Sequence, residues 1–148
     1  MVYDIDGTIF KFDRPFCCSH GMTVIDKNTV TQMHHAIVPL AWDRTGNGVY
    51  IHPMIILGTA ELEVTETELK AHCILNDTPA SQLIKKRIEY GEKFELGFYG
   101  INVKYAKDKT RVTHLDMRCI YVLPPEYIGP PIYGIDNSGN IILDTATN

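Results

Sequence analysis

Residues 68–105 read ELKAHCILNDTPASQLIKKRIEYGEKFELGFYGINVKY, and residues 110–125 continue TRVTHLDMRCIYVLPP. This stretch decides the fold, because its order is strand, helix, glycine, long strand, long strand. Thr78 is a capping residue, Pro79 suits the first helical position, and Gly91 suits a left-handed residue after the last turn. Between them Ala80, Leu83, Ile84 and Ile88 fall on one stripe, while Lys85, Lys86 and Glu89 lie off it. The spacing predicts a single main helix, Pro79 to Tyr90. Burying Leu83, Ile84 and Ile88 would contribute about 1.5–3 kcal/mol each, enough to dock so short a helix.

The rest reads as strand. Leu69, Ala71, Cys73 and Leu75 alternate with Glu68, Lys70 and His72, the pattern of a half-buried strand. From Thr113 to Leu123, one face carries Thr113, Leu115, Met117, Cys119, Tyr121 and Leu123. The other begins with His114, Asp116 and Arg118 and turns apolar at Ile120 and Val122. Such a strand starts at a solvated edge and enters a core covered on both sides. Phe94–Tyr105, Val49–Leu57 and Ile37–Trp42 complete the set, with a turn across residues 43–48.

The two ends look alike. Tyr3 to Ile9 and Tyr133 to Ile141 each read as short strand, polar turn, short strand, with Asp6-Gly7 and Asn137-Ser138-Gly139 as the turns. A lone two-stranded hairpin is marginal in water, so such arms need something to lie against. Residues 1–148 then form a single domain: an N-terminal arm over 1–20, a core over 21–125 and a C-terminal arm over 126–148. The fold class is α+β, a mostly antiparallel barrel-like β-sheet with one main helix and terminal β-hairpin arms. Phe10, Phe12, Phe16, Tyr127, Ile128 and Tyr133 serve either as anchors on a neighbouring subunit or as packing on their own domain.

Bulk properties exclude several classes. The net charge is −4, so no general basic field draws the chain to nucleic acid or an anionic membrane. The longest apolar run, Met54 to Leu57, is strand-sized, and two aspartates stand where a secretion signal needs positive charge. Four cysteines without a CxxC spacing read as reduced thiols of a protein made in the cytoplasm, with Cys73 and Cys119 on apolar strand phases. Lys85, Lys86 and Arg87, with Lys104, Lys107, Lys109 and Arg111, are offset by Glu89, Glu92 and Asp108; a solvated face accounts for them better than a nucleic-acid surface.

Asp4-Ile5-Asp6-Gly7-Thr8 matches the DxDGT signature of haloacid-dehalogenase-type phosphatases, in which one aspartate attacks phosphorus and the other handles a proton around magnesium. That chemistry needs a buried parallel strand before the motif, a later acidic pair and βαβ alternation, none of which is evident. The hairpin turn is the favoured reading. The six histidines lack zinc spacing; Cys17-Cys18-Ser19-His20 and His34-His35 have no second half.

Residues 36–125 resemble the prohead proteases that mature HK97-type capsids, whose fold is shared with herpesvirus assemblins. The resemblance rests on Val38 to Thr45, on Ile56 to Glu63, on Asn76-Asp77-Thr78-Pro79-Ala80 opening the helix, on Gly91 to Gly100, and on Leu115 to Pro125. In that alignment Arg44 stands at the place of the family's histidine base, Gly97 at its serine nucleophile and Met117 near its acid. Losing even one member of such a unit costs roughly 10⁴–10⁶ in rate. The resemblance therefore implies a scaffold without the reaction, and no catalytic, cofactor-binding or metal-ligating residue is assigned. It implies a non-enzymatic capsid auxiliary or decoration protein of a tailed phage, located in the virion and binding the major capsid protein and neighbouring copies of itself. An active maturation protease with a shifted active site, and a small phosphatase using Asp4 and Asp6, are the alternatives.

Overall fold

A computed structural model describes residues 2–12, 14–18, 21–42, 55–108, 110–123, 132–135 and 141–143. The expected turn at 43–48, most of the expected strand 49–57, and the prolines at 124, 125, 130 and 131 lie outside them. The strands are β1 (Ile5–Lys11), β2 (Phe16–Cys18), β3 (Gly21–Ile25), β4 (Ile37–Trp42), β5 (Ile56–Val64), β6 (Glu68–Leu75), β7 (Glu95–Tyr105), β8 (Arg111–Leu123), β9 (Ile132–Ile135) and β10 (Ile141–Leu143). The helices are α1 (Lys27–Val30), continued by a 3₁₀ turn at Thr31–Met33, and α2 (Pro79–Glu89).

The class is α+β. Eight strands form one curled, half-barrel sheet in the order β1-β6-β5-β4-β8-β3-β2, with β7 on the other side of β8. Most pairs are antiparallel; β8 runs parallel to both β3 and β4. Along one edge of β8, Val24 and Ile25 pair with Arg111 and Val112, and Leu40 to Trp42 pair with Ile120 to Val122. The expected C-terminal hairpin forms as the separate pair β9–β10.

The N-terminal expectation is corrected. Asp6-Gly7 makes no turn: β1 is one continuous strand, antiparallel to β6 from Ile5↔Cys73 to Lys11↔Glu68. Its partner strand overrides the local turn preference of Asp-Gly. Ile5, Phe10 and Phe12 are buried, so of the candidate anchors Phe10 and Phe12 pack on their own domain. Phe10 lies 5.3 Å from the Phe98 ring of β7, a side-chain contact between two strands that do not pair. A hairpin does occur further on, between β2 and β3.

The helix follows its sequence signals at both ends. The Thr78 side chain accepts the Ser81 N–H at 3.4 Å, Pro79 opens the first turn, and Gly91 takes φ +92°. The buried stripe is rotated from the expected one: Ala80, Ser81, Ile84 and Arg87 are buried and Leu83 is half-buried. Ser81 Oγ donates to the Leu57 carbonyl at 2.8 Å, pinning α2 to β5. Arg87 enters because Glu92 neutralises it through two hydrogen bonds and its guanidinium lies 5.0 Å over the Phe94 ring. The second helix, α1, adds Val30 and Met33 to the core; four residues are too few to show a helical period.

One large core fills the concave side, built from Leu57, Leu62, Leu69, Cys73, Leu96, Leu115, Ile120 and their neighbours. A second, small cluster of Ala41, Cys119 and Tyr121, with Tyr99 beside it, is distinct from it. The predicted six-residue face of β8 is therefore split. Tyr99 pairs with Cys119 but Gly100 with Met117, so Arg118 is an extra residue, a β-bulge. Leu115 and Met117 face the main core before the bulge; Ile120 and Val122 face it after, which turns Cys119 and Tyr121 to the other side. The sequence alternation is real but changes phase at Arg118.

Candidate functional site

The face of the sheet opposite the main core carries the polar chemistry. Alternation on β6 aims Leu69, Ala71, Cys73 and Leu75 inward and leaves Lys70, His72 and Ile74 outward. Register then sets Asp6 of β1 and Glu61 of β5 on either side of His72. His72 hydrogen-bonds Asp6 through Nδ1, and its Nε2 lies 2.7 Å from Oε1 of Glu63. The Tyr3 ring packs on the imidazole at 5.0 Å. Beside this trio His35 Nδ1 lies 3.4 Å from Glu61, and His34 Nδ1 accepts the Val64 N–H at 3.0 Å. His35, at φ 69°, lets the chain turn into β4 while its N–H donates to the Leu62 carbonyl.

Electrostatics follow from these contacts. Hydrogen bonds donated to Asp6 and then to Glu63 raise the His72 pKa above its ordinary 6.5, against a smaller opposing effect of burial. The hydrogen bond from His72 lowers the Glu63 pKa below its ordinary carboxylate value. Asp6 and Glu63 sit at opposite ring nitrogens, a geometry in which one ion cannot bridge all three side chains. Among the described residues no group of three His, Cys, Asp or Glu is arranged to hold a metal ion.

An apolar strip continues this face toward β4. Ile37 is 68% exposed, Ile56 41% and Ile74 37%. Pairings of Pro39 with Thr59 and of Thr59 with Ile74 place them across three adjacent strands. The strip leads to the Ala41, Cys119, Tyr121 cluster, where Tyr99 and Tyr121 meet edge-on at 6.5 Å between ring centres.

Gly97, at the place the resemblance gives to a nucleophile, pairs with Tyr121 and shares the face of this small cluster. Met117 packs against the main core on the other side of the sheet. The two positions therefore lie on opposite faces of the sheet. Arg44 lies outside the described residues, as do Ser19 and Ser138. Ser81 is fully buried against Leu57. Cys73 and Cys119 are free, and burial pushes their thiols up to about 12 and about 11, so neither supplies a thiolate near neutral pH.

The phosphatase geometry is also absent from this region. β1 is an edge strand antiparallel to its neighbour, the Asp4 carboxylate accepts the Leu75 N–H at 2.7 Å, and Asp6 is engaged by His72. On the polar phase of β8, His114 Nε2 lies 3.4 Å from Asp116. The basic concentration is dispersed: Arg87 turns inward, Arg111 pairs with Asp26 and Lys85 lies 3.6 Å from Asp77. No described helix is long and apolar enough to cross a membrane. Each member of the trio is visible in the sequence, but the trio itself is not. Its only local signal was a histidine on the polar phase of a strand, since Asp6 and His72 are 66 residues apart. No family model, curated protein or solved structure matches the chain.

Proposed function

We propose that this protein is a non-enzymatic structural virion protein, an auxiliary or decoration protein of a tailed-phage capsid that binds the major capsid protein and neighbouring copies of itself. The observation that carries the reading is that Gly97, which the resemblance would align with a nucleophile, pairs with Tyr121, while Met117 is turned to the opposite face. The order β6, α2, β7, β8 is compatible with that reading, and around Gly97 the face carries the aromatic side chains of Tyr99 and Tyr121. The strip of Ile37, Ile56 and Ile74 supplies exposed apolar area of the kind a lattice contact buries, and lattice binding by many weak contacts needs no catalytic group.

The test is the composition of purified particles. The reading expects this chain in a fixed ratio to the major capsid protein, and release of the chain from particles bearing Ile37→Asp. Absence from particles overturns it. Cleavage of capsid precursor by the purified chain also overturns it, in favour of a protease.

A further inference from the structure

Carboxylates only accept hydrogen bonds, and His72 presents one ring nitrogen to Asp6 and the other to Glu63. Both nitrogens must then donate, which only the imidazolium can do. The carboxylates belong to two different strands flanking β6, and one of them, β1, is the edge of the sheet. We propose that protonated His72 is a clasp that fastens the N-terminal strand β1 to β6 and β5 through Asp6 and Glu63, and that deprotonation loosens β1 at the sheet edge. This inference is independent of the capsid reading.

The surroundings favour the charged ring. Asp6 faces it from β1, with Asp4 two residues away and held by the Leu75 N–H. Glu63 and Glu61 face it from β5, Glu61 also meeting His35. Lys70 is the cation on its own strand, and His34, whose Nδ1 accepts the Val64 N–H, stands near Glu63. The carboxylates therefore outnumber the fixed cations around the ring. Because the folded pKa of His72 is raised, its contribution is complete below the unfolded value near 6.5 and is lost as the pH rises through the folded value. Glu63 is shifted the other way, so its part is lost as the pH falls through its lowered folded value. The clasp is closed in the window between them.

The test pairs a proton NMR titration of His72 with hydrogen exchange of the β1 amides on the full chain. His72 should titrate above 6.5. Across that midpoint the β1 amides should gain opening relative to β8 amides, after correction for intrinsic exchange, by roughly tenfold per unit of raised pKa. His72→Gln, on a part-exposed outward position, should abolish the pH step, and Asp6→Asn should lower the midpoint. A midpoint at or below 6.5, no added opening of β1, or the same step in His72→Gln overturns the proposal.

Discussion

The β5–β6 and β7–β8 ladders are both long antiparallel pairs, yet they differ in regularity. From Gly58↔Leu75 to Val64↔Leu69 the first runs without a register shift. The second shifts three times, at Tyr99/Gly100, within Ile101–Lys104 and before Tyr105. A regular ladder keeps each side chain on the face its position dictates, so β6 is read correctly from alternation alone. A bulged ladder re-aims side chains, and there a face deduced from position parity fails. One pair builds the wall; the other bends it.

Substitutions can break that contrast, and the largest effect is expected in the regular pair. A β-carbon on Gly58 would stand 1.9 Å from the Ile74 carbonyl oxygen, a backbone atom with nowhere to go. Gly58→Ala should cost about 4–5 kcal/mol or more, measured as lost cooperative unfolding in urea. Leu62→Ala and Leu115→Ala, each about 1% exposed or less, should each cost about 2–5 kcal/mol. A Leu115→Ala cost below half that of Leu62→Ala would show that the bulged pair collapses around cavities that the regular pair leaves open.

Smaller effects sharpen the same comparison. Asn102 sits at φ 53° in the middle bulge, and its Nδ2 donates to Asp116 at 2.8 Å. Asn102→Val should cost about 1–2 kcal/mol in the urea midpoint, while Asn102→Gly should be much milder. At Gly100 an added β-carbon would meet the Leu115 and Val103 side chains at 3.4 and 3.6 Å and the Asp116 carbonyl oxygen at 3.7 Å, all ordinary van der Waals contacts. Gly100→Ala should therefore shift thermal stability by less than about 1 kcal/mol, against the collapse expected from Gly58→Ala.

The sequence revealed features whose cause is local. The helix from Pro79 is bounded by its own cap and its own glycine. β4 at Ile37–Trp42 and β6 at Glu68–Leu75 match the expected strands, and β9 pairs with β10 where two apolar runs flank a polar stretch of sequence. What was missed has a distant cause. Asp6-Gly7 is a turn sequence held straight by β6, and Arg87 is a charge buried because Glu92 and Phe94 receive it. The bulge at Arg118 depends on the partner strand, and α1 is too short to leave a period. For the outward face, the polar phase of β6 was legible, but which carboxylates meet His72 depends on strand order, which no spacing encodes.

The placement of β8 also governs how the chain reaches this state. Its parallel neighbours come from far upstream: Thr23 and Thr110, which meet at the β3 edge, are separated by 87 residues. Closing loops of that length before any contact rewards them is slow, which places folding in the millisecond-to-second regime of non-local β topologies. During synthesis β4, β5 and β6 can pair as soon as they emerge, while the seat beside β4 stays vacant until β8 is translated. Until then the newborn chain displays an unpaired strand margin, and that interval is when it is most open to capture by a chaperone or by another copy.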